Sequence, residues 1–405
     1  MKNTKRTHVL LILLIALMVL SSCDKPIVTI SPGNSEVIES VLPSPIESPS
    51  ASLEPSPSIE PTPSQTVQPS PSIEPTPTYT FTPPPTPTPT PVPERPSEYT
   101  QPEYFSFDES TGTITGYNPE GGVYVKIPES INEVKVIKIG MCAFAQIDLY
   151  GVIIPEGVSE IQRGAFYSCQ LREAEIPKSV KIISDRAFLY NQLTSIDLPD
   201  ELEYLGAEAF KGNELKSIVI PTSLTRLESY VLYWNKIETV EIPSNISYIG
   251  DNAFSSNYLT SIELHSGIGH ISEYAFSNNK LTKLILHDGI NYIGKYAFSH
   301  NMITEVIIPD SLKSVGEYAF SNNAIETLEL GNGMTKISPY TFSNNRIRTL
   351  DMPDSIISIG YSAFNNNNIE TLVIGVNVET IGLSAFNNNN IKSVSIPLKV
   401  HLIND

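Results

Sequence analysis

The chain has 405 residues, a formal net charge of −18 and 33 prolines, of which 22 lie between Pro26 and Pro102. This uneven distribution excludes one globular domain over the whole length, because the composition changes abruptly near residue 103. From residue 103 onward 21 Lys and Arg stand against 35 Asp and Glu, a net charge of −14, and such an acidic surface disfavours nucleic acid as a partner.

Residues 1–22 have the composition of a secretory signal peptide. Basic residues at positions 2–6 precede an apolar run at 9–20, which is too short to remain as a transmembrane helix. The sequence Leu-Ser-Ser-Cys at 20–23 resembles the lipobox of bacterial lipoproteins, and this resemblance implies cleavage before Cys23 and a diacylglyceryl group on that cysteine. Two acyl chains hold a protein stably at a membrane. We therefore predict a secreted protein, lipid-anchored to the outer face of the bacterial cell membrane and surface-exposed; an ordinary signal peptide with a chance cysteine is the alternative.

Residues 23–102 consist mainly of Pro, Ser, Thr and Glu. Such a segment cannot bury enough apolar surface to offset the entropy of ordering, so we predict a lipid-anchored, disordered stalk with a bias towards polyproline II. At ~3.1 Å per residue it would extend on the order of 240 Å from the membrane. Its Ser and Thr residues are candidate sites of O-glycosylation. A proline-rich ligand for another domain is a second interpretation of the segment.

After residue 103 the sequence repeats every 22 residues. A unit this short cannot enclose a core alone, so twelve units without an insertion predict a solenoid in which each unit packs on its neighbours. We expect an N-terminal cap and first partial repeat at 103–140 and the repeats proper at 141–405. A phenylalanine marks each step of this period, except at one step, where Leu232 replaces it. The series comprises Phe144, Phe166, Phe188, Phe210, Phe254, Phe276, Phe298, Phe320, Phe342, Phe364 and Phe386.

Each unit has further fixed positions relative to its Phe. A small residue precedes the Phe, and aliphatic residues follow it by five, eight and ten positions, as in Leu259, Ile262 and Leu264. The alternation at the end of this pattern predicts a short strand with one buried face. A proline often comes next and ends the strand, because it has no N–H for the ladder. The predicted fold is a β-rich repeat solenoid of stacked short parallel strands.

An asparagine lies three residues after the Phe position in ten of the twelve units. Its amide is predicted to face inward and to bond backbone groups that the turn leaves unpaired, which is a structural role. Cys169 takes this position in another unit, where we expect an inert core thiol. The predicted asparagine ladder comprises Asn191, Asn213, Asn235, Asn257, Asn279, Asn301, Asn323, Asn345, Asn367 and Asn389.

These positions together resemble the repeat of the BspA-like leucine-rich-repeat family of bacterial surface proteins. The motif is stated by Leu-Thr-Ser-Ile-Glu-Leu at 259–264, followed by Ile268, Ile271, Ala275-Phe276 and Asn279. Residues 113–128 resemble the opening hairpin of the family, and the whole resemblance covers about residues 104–405. It implies a leucine-rich-repeat fold, display at the cell surface, and binding of host proteins, extracellular matrix or other cells.

Two outward arrays are candidate binding surfaces. The outward positions of the predicted strands are polar and lean acidic. Because tyrosine combines a large contact area with a hydrogen-bonding tip, a row of tyrosines two residues before the Phe position predicts a recognition strip. An aromatic stack that stiffens the solenoid is the other interpretation. The row consists of Tyr230, Tyr274, Tyr296, Tyr318 and Tyr340.

The sequence gives little support for catalysis. His265 and His287 lie one repeat apart with His270 between them, but no Cys or acidic residue recurs with them at a metal-binding spacing. The chain has no Gly-rich phosphate loop, nucleophile elbow or zinc signature. We therefore expect no enzymatic activity, no cofactor and no metal.

Two hypotheses from different classes follow. The first is an adhesin-like protein that recognises a host or environmental protein or polysaccharide through the repeat surface. The alternative is a structural scaffold of the envelope that self-associates through the solenoid. An accessory subunit that presents a small ligand to a transporter is a third, which the long stalk disfavours. Near-identical adjacent repeats favour a repetitive partner, since equivalent residues then meet equivalent features of the ligand.

Overall fold

The structure, a computed structural model, describes residues 92–403. The predicted signal peptide, the predicted lipidation site Cys23 and residues 23–91 of the predicted stalk lie outside the described residues. The end of the predicted stalk contacts the first turn: the Thr100 N–H donates to Lys126 O at 2.8 Å, and the Lys126 ammonium donates to Ser97 O at 2.7 Å. In the described part, no helix has the length and apolarity needed to cross a membrane.

The predicted fold class is confirmed, since the chain forms a β-solenoid of about 13 turns with a repeat of about 22 residues and parallel strands. The predicted strands form sheet A, which begins seven residues after the Phe position. Ser261 pairs with Lys283 and Leu264 with Leu286, so the register equals one repeat. The strands of sheet A are Tyr124–Lys126, Gly151–Ile153, Glu173–Glu175, Ser261–Leu264, Lys283–Leu286, Glu305–Ile307, Thr327–Glu329, Thr349–Asp351 and Thr371–Val373.

Sheet B is a second parallel sheet, which the sequence does not predict. Most of its strands have two residues, one outward and one inward aliphatic, as in His270 and the fully buried Ile271. Two residues are too few to show an alternating pattern. The strands of sheet B are Thr113–Tyr117, Lys138–Ile139, Glu160–Ile161, Ile182–Ile183, Tyr204–Leu205, Arg226–Leu227, Tyr248–Ile249, His270–Ile271, Tyr292–Ile293, Ser314–Val315, Lys336–Ile337, Ser358–Ile359, Thr380–Ile381 and Leu402–Ile403.

The chain returns from sheet B to sheet A through a corner centred on the Phe. The Phe276 N–H donates to Ala297 O at 2.8 Å, so the corner forms a third backbone ladder between turns. The residues two before and two after the Phe position are left-handed, as in Tyr274 with φ 57° and Asn278 with φ 54°. Asparagine adopts this conformation more readily than most residues, which accounts for its frequency at the second of these positions.

The Phe side chains stack along the axis of the solenoid and form the centre of its core. The centroids of Phe276 and Phe298 lie 5.4 Å apart, with ring planes 2° from parallel. Both rings are fully buried, and burial of a Phe side chain stabilises a fold by ~1.5–3 kcal/mol. The preceding Ala275 and Ala297 are also fully buried, so the small residue before each Phe fits the space beneath the corner.

An antiparallel hairpin of Phe105–Asp108 and Thr113–Tyr117 opens the solenoid. The Tyr117 ring lies 5.2 Å from that of Phe144, so the hairpin covers the first ring of the stack. The remaining elements are the strands Ser130–Ile131 and Val134–Lys135 and the 3-10 helices Pro102–Tyr104 and Pro119–Gly121.

The repeat is least regular over residues 195–250, which we call the irregular segment. Leu232 interrupts the Phe stack there, and sheet A is reduced to an isolated bridge between Ser217 and Thr239. Sheet B is interrupted there between Tyr204–Leu205 and Arg226–Leu227, and again outside the segment between Ser314–Val315 and Lys336–Ile337. The corner ladder continues through the segment, as in the 3.0 Å bond from the Phe210 N–H to Val231 O.

Candidate binding surfaces

The ten asparagines of the predicted ladder bond the backbone of the corner. The Asn279 amide donates to Phe254 O at 2.9 Å and Phe276 O at 3.1 Å, and its oxygen accepts from the Leu259 N–H at 3.0 Å. The other nine amides make the same three kinds of bond. Their hydrogen-bonding groups are therefore occupied within the fold.

Cys169 is fully buried at the same position of an earlier turn. Its thiol donates to Phe144 O at 2.9 Å. Burial raises the pKa of this thiol to about 12, so it stays protonated at neutral pH. Since the thiolate is the reactive form, the residue has no nucleophilic character.

Four of the five predicted tyrosines come together as a stack, which we call the tyrosine ladder. The ring centroids lie 4.7 Å apart for Tyr274 and Tyr296, 4.6 Å for Tyr296 and Tyr318, and 4.4 Å for Tyr318 and Tyr340. Tyr230 lies apart from this ladder and contacts Tyr233 edge-on at 5.5 Å. The separation follows from the sequence, because Asn252 occupies the position of the intervening turn.

Stacking decides what the tyrosine ladder can offer to a ligand. Each inner ring has both faces covered by its neighbours, so the ring edges and hydroxyls are left for contact. Burial and the adjacent phenols Tyr318 and Tyr274 raise the pKa of Tyr296. The Tyr296 hydroxyl is therefore neutral at physiological pH and both donates and accepts hydrogen bonds.

The outward face of sheet A is polar, and it also contains exposed aliphatic side chains. Thr260, Ser261 and Glu263 are exposed on neighbouring positions of one turn. Val219 is 83% exposed and Ile307 is 52% exposed on the same face of other turns. The acidic row expected from the sequence is therefore interrupted by apolar groups.

An aromatic row on sheet B escaped the sequence analysis. The Arg226 guanidinium lies 4.8 Å from the centroid of Tyr248, whose ring stacks on His270 at 5.7 Å. His270 in turn stacks on Tyr292 at 4.5 Å. The sequence does show three aromatic residues one repeat apart, Tyr248, His270 and Tyr292, but at a position where no strand was predicted.

The histidines that drew attention in the sequence have local partners. His265 Nδ1 accepts from the Gly267 N–H at 3.1 Å, and its Nε2 lies 2.9 Å from Pro243 O. His287 Nε2 lies 2.9 Å from Glu263 Oε1. Over residues 92–403 no group of three or more His, Cys, Asp and Glu side chains is arranged to hold a metal ion.

A groove that covers part of the irregular segment and the turns on either side of it was also missed. It has a volume of about 520 Å³ and is lined by Trp234, Lys236 and Tyr258, among others. Trp234 is the only tryptophan of the chain and is 59% exposed. The sequence could have indicated this groove, because it has a tryptophan at a corner position where later turns have asparagine.

Comparison with protein families and known proteins places the repeat in a family. The model of the BspA type leucine rich repeat region matches residues 124–238, 182–303, 225–347 and 291–405. A comparison with curated protein sequences gives no match.

Several solved structures are similar to this chain. A leucine-rich repeat protein from Bacteroides ovatus is 26% identical, with a TM-score of 0.56 over 74% of this chain and 88% of that chain. A leucine rich cell surface protein from Faecalibacterium prausnitzii is 22% identical, with a TM-score of 0.44 over 76% and 95% of the two chains. The pneumococcal vaccine antigen PcpA is 21% identical, with a TM-score of 0.43 over 69% and 83%. The match of the family model over more than half of the sequence, together with the solenoid and its asparagine ladder, shows that the chain belongs to the BspA-type leucine-rich-repeat family.

Proposed function

We propose that the protein is an adhesin-like binding protein of the bacterial cell surface that recognises an extended protein partner through its repeat surface. The observation that carries this proposal is the tyrosine ladder, in which equivalent side chains of four successive turns lie 4.4–4.7 Å apart. A row of equivalent groups binds a repetitive partner through several weak contacts at once, which raises the overall affinity.

A protein suits the tyrosine ladder better than a polysaccharide does. Sugar rings pack on the faces of aromatic rings, and the faces of Tyr296 and Tyr318 are covered by their neighbours. The ring edges and hydroxyls of these half-buried side chains suit the polar and apolar groups of a protein surface, where tyrosine is enriched at binding hot spots. Lys295 and Glu317, which form an ion pair of 2.8 Å beside the ladder, add charged contacts.

Display at the surface is supported by the N-terminal sequence. The signal peptide and the lipobox-like residues before Cys23 favour a lipid anchor, and the proline-rich stalk would hold the solenoid away from the membrane. These segments lie outside the described residues. Mass spectrometry of the protein from its native membrane tests the anchor, because a diacylglyceryl group on an N-terminal Cys23 has a defined mass.

Surface plasmon resonance against a panel of fibrous matrix proteins tests the binding role. The variant with Tyr274, Tyr296 and Tyr318 changed to Ala is expected to bind at least about tenfold more weakly, because aromatic side chains at interface centres contribute more than 1 kcal/mol each. Tyr230→Ala is the matched control, since it removes a tyrosine from the same repeat position outside the ladder. Equal affinity of the triple variant and this control would contradict the proposal.

An envelope scaffold is the second candidate. The exposed aliphatic side chains of Val219, Ile307 and Val373 on sheet A favour self-association. Concentration-dependent association in analytical ultracentrifugation, together with no binding to any matrix protein, would favour the scaffold over the adhesin.

A further inference from the structure

Trp234 has an exposure that folding does not explain. It occupies the second left-handed corner position, which every turn has and which asparagine takes in Asn278, Asn322 and Asn344. The residue is 59% exposed, so its indole gains little of the stabilisation that burial would supply. Tryptophan is enriched at binding sites, where it provides a large contact area.

The indole is supported by the two preceding turns. The Tyr190 ring lies 6.4 Å from the Trp234 ring, with the two planes at 81°. Gly212 occupies the corner position between them with φ 67°, and a Cβ there would lie 2.4 Å from Tyr190 Cδ1. The glycine therefore makes room for the tyrosine ring, which fixes the indole from one side. A platform held in this way loses little freedom when a ligand binds.

Polar groups line the groove beside the indole. Its volume of about 520 Å³ falls within the ~300–1,000 Å³ typical of small-ligand sites. The Lys236 ammonium and the Glu214 carboxylate lie 3.1 Å apart, and both side chains are nearly half exposed. An exposed pair of this kind contributes ~0–1 kcal/mol to stability, but it offers a charged donor and a charged acceptor to a ligand.

A second aromatic ring stands at the same groove. Tyr258 lines it and is 41% exposed. The Lys280 ammonium lies 3.9 Å from the centroid of the Tyr258 ring. This cation–π contact fixes the ring orientation, so the groove has two positioned aromatic side chains, Trp234 and Tyr258.

The groove coincides with the place where the repeat departs from its rules. Leu232 interrupts the Phe stack two residues before Trp234, and sheet A is reduced there to the bridge between Ser217 and Thr239. A repetitive sequence is expected to break its local rules at functional sites. The departure in packing and the exposed indole are separate observations that point to the same location.

The geometry points to a carbohydrate-binding site in this groove, with a neutral glycan of β-linked pyranose units as its ligand. One face of such a sugar ring is lined by C–H groups, whose partial positive charge packs on the negative face of an indole. The hydroxyls around the ring both donate and accept, which matches Lys236 and Glu214. Anionic glycans are disfavoured by the net charge of −14 from residue 103 onward. The site goes beyond the proposed protein binding and uses other residues, so either can fail without the other.

The tryptophan itself supplies the test. Because Trp234 is the only tryptophan, the tryptophan fluorescence of the full chain reports on this groove alone. Titration with cellotetraose or chitotetraose is expected to give a saturable blue shift as the sugar displaces water from the indole. Tyr258→Ala retains the reporter and is expected to weaken binding roughly tenfold. Tyr296→Ala, in the tyrosine ladder, is the matched control and is expected to bind as the wild type does.

Three results would overturn the site. One is the absence of a saturable change with both tetrasaccharides in a chain with the circular dichroism of the native fold. The second is an equal response from free N-acetyltryptophanamide, which would show that the sugar acts on any indole. The third is wild-type affinity in Tyr258→Ala. Loss of matrix-protein binding in the ladder variant does not bear on any of these.

Discussion

At the Phe position a single side chain determines how two neighbouring turns pack, and Leu232 shows that one turn accepts a leucine there. Phe298 lies between Phe276 and Phe320 in the stack, at centroid distances of 5.4 Å. We expect Phe298→Ala to lower the free energy of unfolding by about 3–5 kcal/mol, since it leaves a cavity. Phe298→Leu fills most of that volume and should cost about 1–2 kcal/mol. Urea denaturation measures both; equal losses would show that the stack depends on aromatic contact rather than on volume.

Each asparagine of the ladder makes three kinds of hydrogen bond to the backbone, of which Cys169 at the same position keeps the bond to the Phe carbonyl of the preceding turn. Asn279→Ala would leave the Leu259 N–H and the Phe254 carbonyl without this partner inside the protein. Each unsatisfied buried group costs about 1–3 kcal/mol, so we expect the variant to lose at least 2 kcal/mol of unfolding free energy. Thr260→Ala, at an exposed site just before a sheet A strand, is the control and should stay within about 0.5 kcal/mol of the wild type. A similar stability of the two variants would argue against the structural role of the ladder.

Buried phenols make the fold sensitive to alkali. Burial raises the pKa of Tyr117 from 10.0 to about 12, and the Tyr117 hydroxyl donates to Gly122 O at 3.0 Å. A folded-state pKa above the unfolded value stabilises the fold below the unfolded pKa, and this contribution is lost as the pH rises towards the folded value. We therefore expect the free energy of unfolding to fall between pH about 10 and about 12. Urea denaturation across this range tests it, and Tyr117→Phe should show a smaller fall; an unchanged slope would mean that Tyr117 does not contribute.

At the level of elements, the sequence is informative where a pattern extends over several residues. Sheet A follows from the aliphatic alternation at 259–264, whereas sheet B has two-residue strands such as His270–Ile271, which are too short to alternate. The tyrosine ladder was found because four consecutive turns repeat the residue. Trp234 was missed because it occurs once, and a search for repeats overlooks a unique residue. The exposure of the Trp234 side chain, which makes it conspicuous, is a property that only the structure displays.

The irregular segment should differ from its neighbours in local stability. Sheet A pairs all four residues of 261–264 with 283–286, whereas the corresponding residues 217–220 make only the bridge from Ser217 to Thr239. Amides without a hydrogen-bond partner in the sheet exchange after local openings of the structure, which cost less free energy than global unfolding. Hydrogen–deuterium exchange is therefore expected to be at least about tenfold faster at 217–220 than at 283–286. Equal protection would mean that the corner and the core alone determine the stability of these turns.

For the whole molecule, the register of one repeat implies that a complete turn can be removed. Each turn of a solenoid contacts only its neighbours, so its stability is approximately a sum over turns and interfaces. Deletion of residues 298–319 joins Ala297 to Phe320 and places the sheet A strand Lys283–Leu286 beside Thr327–Glu329, with every inward residue still inward. Deletion of 298–308, half a turn, joins Ala297 to Pro309 and brings sheet A residues against sheet B.

We expect the full-turn deletion to retain the β-sheet circular dichroism and cooperative urea unfolding of the parent, with a modest loss of stability. The half-turn deletion should lose both, because it exposes core residues at the junction. The full-turn deletion also shortens the tyrosine ladder by removing Tyr318, while Trp234 keeps its lining residues and Tyr258 keeps Lys280. Matrix-protein binding should therefore weaken in it and the response of Trp234 to cellotetraose should persist. Simultaneous loss of both activities in a folded deletion variant would show that the two surfaces depend on each other, contrary to the nearest-neighbour account.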